Sequence, residues 1–69
     1  MPLFDLDNLF CYHTPKDDQP VRYEVLRAKA KEFAVTILNC CPDSADRSDA
    51  IRKVREAVMM ANASIAVNE

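Results

Sequence analysis

The 69-residue sequence contains no glycine. Tight hairpins and the close-set loops of small β-rich domains rely on residues that reach positive φ cheaply, so this absence argues for helices. Nor is there an uninterrupted apolar stretch of the ~20 residues that a membrane-spanning helix needs. Hydrophobic residues make up 49% of the chain and charged residues 29%, which excludes the polar composition of a disordered segment and leaves a soluble, folded chain. No secretory leader is expected either. Met1-Pro2-Leu3-Phe4-Asp5 has no basic start, and acids interrupt the apolar residues that follow, so a cytoplasmic protein is expected. Excess positive charge is also lacking: the net charge of −2 gives no overall footprint for duplex DNA or an anionic membrane. Small anions are not excluded, because they need only a local basic pocket.

A single domain of this length buries only about 60% of the surface its unfolded chain exposes, so it needs support from disulfides, a metal or self-association. The three cysteines are an odd number, and Cys40 and Cys41 are adjacent, poorly placed to bridge one another. A zinc site would draw on Cys11, His13, Cys40 and Cys41. The spacing is poor, however, since neighbouring residues on a helix point about 100° apart, and no metal is expected. Catalytic signatures are equally scarce. Cys11 and His13 lack an evident orienting partner, and there is no glycine-rich phosphate loop or specific pair of carboxylates, so no enzyme and no cofactor are expected. Self-association is the support that remains.

What is present is helical periodicity. Leu6, Leu9 and Phe10 share one side of a short helix at about residues 4–10, with Asp5 as a candidate cap. Residues 11–19, with Thr14-Pro15 and the polar run Lys16-Asp17-Asp18-Gln19, read as a loop. From Pro20 a long helix carries Tyr23, Leu26, Ala30, Phe33, Ile37 and Cys40 at spacings of three and four, and Pro42 ends it near 41. A second long helix, about 44–67 with Asp43 or Ser44 as its cap, has the seam Ile51, Val54, Val58, Ala61 and Ile65. On its outer face Asp49 with Lys53 and Arg52 with Glu56 stand four apart as candidate ion pairs. A short connection makes the two helices antiparallel neighbours. Residues 1–69 therefore read as one all-α domain, a short N-terminal helix followed by a two-helix hairpin. Val25, Val35, Met59 and Met60 widen the apolar area beyond what one partner helix covers, which points to a homo-oligomer.

The candidate binding residues are Tyr12 and His13 in the loop with Arg22, Arg27 and Lys31 on the first long helix. Arg27 and Lys31 lie four apart on one face, where like charges cost a few tenths of a kcal/mol unless an anion or an acid such as Glu24 relieves them. One reading is a solvated, salt-bridged face. The other is a nucleotide clamp, in which an aromatic ring stacks on a base for about 1–3 kcal/mol while cations grip phosphates.

Specific stretches decide between these readings. The opening YHTPKDDQPVRYEVLR and the closing AVMMANASIAVNE, joined by Cys41-Pro42 and Arg47-Ser48, resemble the phage anti-CBASS 2 family across nearly all of residues 10–69. The resemblance implies a compact homohexamer that binds cyclic dinucleotides, and in some members cyclic trinucleotides at separate sites, without cleaving them. It implies pockets between protomers that use an early tyrosine, matched by Tyr12, and a basic residue of the first long helix, matched by Arg27 or by Lys31. The function implied is that of a sponge in the host cytoplasm, which holds a messenger such as 3′,3′-cyclic GMP-AMP below the threshold of CBASS effectors by mass action. The alternative is a helical protein-interaction module that docks through its methionine-rich face.

Overall fold

The computed structural model describes residues 5–69, so Leu3, Phe4 and the start of the expected short helix lie outside the described residues. The chain is all-helical and contains no strand among the described residues, in keeping with the missing glycine. Helix α1 spans Leu6–Leu9, α2 spans Gln19–Cys40 and α3 spans Ala45–Asn68. At 1.5 Å per residue the two long helices are about 33 and 36 Å in length.

Each boundary has a local cause. Asp5 caps α1 by accepting from the Asn8 amide at 3.3 Å. Helix α2 opens with Pro20 in its first turn, where a missing N–H costs nothing. It stops because Cys41, held extended at φ −113° and ψ 138°, precedes Pro42. Ser44 then caps α3 by accepting from the Arg47 amide at 3.1 Å, with Asp46 in the favourable first turn. Arg47 ties the connection together: it pairs with Asp43 at 3.2 Å and donates to the Leu38 and Cys41 carbonyls at the end of α2, where a cation also suits the helix dipole.

The helices α2 and α3 form an antiparallel hairpin, but the seam between them closes only in part. Ile37 is the one buried hydrophobic side chain among the described residues. Leu26, Ala30, Val54, Val58 and Ile65 are half-buried, and Phe33 remains 57% exposed. A groove of about 600 Å³ between the helices is lined by Leu26, Ala30, Phe33, Val54, Ala57 and Ala61. Val25, Val35, Met59 and Met60 are exposed as well.

The exposed area can be put in numbers. The chain presents 5601 Å² to solvent, whereas a folded monomer of 7.8 kDa ordinarily exposes about 4400 Å². Its radius of gyration is 15.0 Å, against about 11 Å for a compact domain of equal length. The hairpin is elongated and its apolar faces are incompletely covered.

The outer-face ion pairs differ from those read off the sequence. On α3 the pair that forms is Lys53 with Glu56, three apart at 3.8 Å, in place of Asp49 with Lys53 and Arg52 with Glu56. On α2 it is Lys29 with Glu32 at 3.6 Å. All four side chains are exposed, so each pair contributes only a few tenths of a kcal/mol.

Candidate functional site

The candidate residues fall into two places. Tyr12 and His13 sit in the segment between α1 and α2, beside the end of α3, while Arg27 and Lys31 lie further along α2 on the hairpin's side.

The first place is a polar depression of about 280 Å³, lined by Tyr12, His13, Lys16 and Gln19 from one side and by Val67 and Glu69 from α3 and its cap. The loop around it is fastened at both ends. At its start, Asn8 donates its side-chain amide to the Val67 carbonyl at 3.0 Å. His13 Nε2 lies 2.8 Å from the Asn8 carbonyl; a carbonyl only accepts, so Nε2 carries the hydrogen. Cys11 Sγ is 3.5 Å from the same nitrogen. At the other end, Gln19 is buried, accepts from the Lys16 amide at 3.2 Å and donates to Glu69. Lys16 Nζ reaches the Glu69 main-chain oxygen at 2.9 Å. The turn between them includes Asp17 at φ 53°, a left-handed conformation that aspartate tolerates better than most residues. Between these fastenings the Tyr12 ring is 83% exposed.

Arg22 is occupied by this scaffold. Its guanidinium donates both terminal nitrogens to the Glu69 carboxylate, one at 2.8 Å, and also meets Asp18 at 3.2 Å. The fork-on-carboxylate geometry is strong because both partners are ionised. The bond to Arg22, opposed by partial desolvation and aided by Gln19, holds the Glu69 carboxyl well below its usual range, at about 2. The same bond raises Arg22 further above its already high value.

The second place is a shallow groove of about 640 Å³ where Arg27 and Lys31 of α2 meet Arg55 and Met59 of α3, with Glu24 at its edge. Lys31 does not pair with Glu24, nor does Arg27: among the described residues neither cation, nor Arg55, has an ion-pair partner within 4.0 Å. The relief of Arg27 and Lys31 by Glu24 that helical spacing allowed does not form among the described residues. Three cations against the one carboxylate of Glu24 make the depression net positive, a field suited to an anion. The candidate list omitted Arg55, although an antiparallel hairpin with its connection at residues 41–44 brings it opposite Lys31.

The possible zinc ligands do not converge. Cys11 and His13 precede α2, while Cys40 and Cys41 follow it at the far end, about 33 Å away along the helix. Among the described residues no group of three metal-ligating side chains comes together.

With this geometry in view, the comparison with protein families is specific. The model for the Acb2/Tad1 hairpin domain matches residues 5–66. The chain belongs to that family. No curated protein and no solved structure matches it. The matched span takes in α1, the loop bearing Tyr12 and His13, all of α2, and α3 as far as Ala66, so both candidate places lie largely within the family domain. This is the family that the opening and closing sequence stretches resemble. No helix among the described residues is long and apolar enough to cross a membrane.

Proposed function

We propose that the protein binds and sequesters cyclic oligonucleotide second messengers without cleaving them, as a phage anti-CBASS sponge acting in the host cytoplasm. The observation that carries this reading is the groove of three unpaired cations, Arg27, Lys31 and Arg55, in a chain of the Acb2/Tad1 hairpin family. Guanidinium and ammonium groups suit the paired phosphates of a cyclic dinucleotide such as 3′,3′-cyclic GMP-AMP, and exposed Tyr12 offers a stacking face for a base. Some members of the resembling family bind cyclic trinucleotides at separate sites, and these are a second ligand class for this chain. Arg22 and His13, the other expected ligand contacts, bond within the scaffold of the loop that bears Tyr12.

Within one chain Tyr12 and Arg27 line different depressions. A clamp that draws them from neighbouring copies accords with the incompletely covered hairpin and with a homohexamer of the kind the family resemblance implies. The incomplete closure around Ile37 and Phe33 supports assembly on physical grounds.

The test is calorimetric titration of purified protein with 3′,3′-cyclic GMP-AMP and a panel of cyclic di- and trinucleotides, followed by heating to recover the ligand. Intact ligand is expected. Degraded product would reject sequestration, and no binding across the panel would reject the class. A second reading, docking to another protein through exposed Met59 and Met60, is distinguished by Tyr12→Ala. The clamp loses about tenfold or more in affinity on losing one stacked base, whereas a methionine-face contact is unaffected.

A further inference from the structure

The tightest polar cluster in the structure lies beside the ligand groups rather than among them. Glu69 receives the Arg22 fork and the buried Gln19 amide on its carboxylate, and Lys16 on its main-chain oxygen. Gln19 simultaneously accepts from the Lys16 amide. The contacts join residues about fifty positions apart, and they close the loop just after Tyr12 as the Asn8–Val67 bond closes it just before.

We propose that Glu69 is the positioning residue for the Tyr12 loop, holding residues 11–18 against the end of α3 so that the Tyr12 ring is presented before ligand arrives. The inference rests on the sequestering function proposed above for its consequence in binding, while the loop's order is measurable without any ligand. Three observations favour this role. Gln19, the hub between loop and Glu69, is only 3% exposed and spends both ends of its amide on these bonds, and a buried amide that loses a partner is costly. Asp17 holds a left-handed backbone inside the closed segment, a conformation that persists where surrounding bonds determine it. Tyr12 itself makes no hydrogen bond among the described residues and is 83% exposed, so its placement comes from the loop and not from its own contacts. A ring already placed avoids part of the ordering cost that a free loop would meet on binding.

The groups facing the cluster are Asp18, Lys16 and Arg22, with His13 lining the same depression. Removing the Glu69 carboxylate leaves Arg22 with Asp18 alone. The experiment compares the parent with Glu69→Ala and with the exchanged pair Arg22→Glu/Glu69→Arg, using amide hydrogen exchange and calorimetric titration with 3′,3′-cyclic GMP-AMP.

Glu69→Ala is expected to speed exchange at the Lys16 and Gln19 amides, whose hydrogen bonds close the loop, while residues 24–38 keep parental protection. It should weaken binding about tenfold, equivalent to reordering roughly one backbone residue. The exchanged pair should restore part of both. Parental exchange in the loop of Glu69→Ala overturns the proposal, as does a loosened loop with unchanged affinity. If the parent itself binds no cyclic oligonucleotide, the sequestering function fails while the exchange measurement still decides whether Glu69 orders the loop.

Discussion

Replacing Phe33 by aspartate tests whether the apolar groove of the hairpin is an interface between copies. The ring lines that groove and is 57% exposed in the isolated chain. Phenylalanine offers about 200 Å² in all, so covering the remainder removes about 115 Å² from water. At about 25 cal/mol per Å² this stabilises assembly by about 3 kcal/mol for each copy that buries the ring. Two symmetry-related rings at one contact double the effect, to about 6 kcal/mol or a factor of about 10⁴ in the dissociation constant. Aspartate forfeits that term and adds the cost of burying a carboxylate. Sedimentation velocity across a micromolar concentration range, with circular dichroism, is the assay. The parent should sediment as an oligomer and Phe33→Asp as a monomer or an unfolded chain, since Ile37 alone is little core for an isolated hairpin. Phe33→Leu keeps the surface apolar and should still assemble. A stable monomeric parent, or a Phe33→Asp variant with parental mass and melting temperature, would refute the reasoning.

Two further outcomes follow from the charges. Arg27→Ala and Arg55→Ala should each raise the Kd for 3′,3′-cyclic GMP-AMP about 10- to 100-fold, the loss of one charge-assisted hydrogen bond, and should flatten its dependence on salt; titration at two ionic strengths checks both, and an Arg55 variant with parental affinity removes that residue from the site. The second outcome concerns pH. Glu69 is held at about 2 against an ordinary 4.5, so its contribution is fully present above pH 4.5 and is lost as pH falls toward 2, Arg22 remaining charged throughout. Melting temperature against pH should therefore fall more steeply between pH 4.5 and 2 for the parent than for Glu69→Gln, and parallel curves would contradict the assigned cause.

How far the fold was legible depended on the range of the interactions that set it. The absence of glycine, the three-four spacing from Leu26 to Ile37 and the Cys41-Pro42 stop are local signals, and the all-α hairpin follows from them. Ser44 and Asp5 were readable as caps for the same reason. The Arg22–Glu69 fork was not readable, because its partners lie 47 positions apart and nothing in the local pattern of either residue marks the other. The ion pairs of α3 were misread at closer range. Spacing of four allows Asp49 with Lys53, but exposed lysines choose among several acids at small energetic difference, and Lys53 turns to Glu56. Arg55 was legible in principle through the antiparallel register, which places it across from Lys31. It was missed because the basic residues were read along α2 alone.

That Tyr12 and Arg27 line different depressions bears on the assembly proposed above. A hairpin with one buried hydrophobic side chain among its described residues has little interior in which to shape a pocket, and its grooves are open. A dinucleotide held in such a groove by one chain keeps one face in water, where phosphate contacts are screened and stacking has a single surface. In the assembly proposed above, a second copy laid across the groove would exclude that water, strengthen the contacts of Arg27, Lys31 and Arg55, and carry a Tyr12 loop of its own to the ligand. The apolar surface left uncovered on α2 and α3 would favour that arrangement without any ligand being present. Assembly and pocket formation would then be one event, and a ligand that bound only the assembled state would stabilise the oligomer by RT ln(1 + L/Kd) at free ligand concentration L.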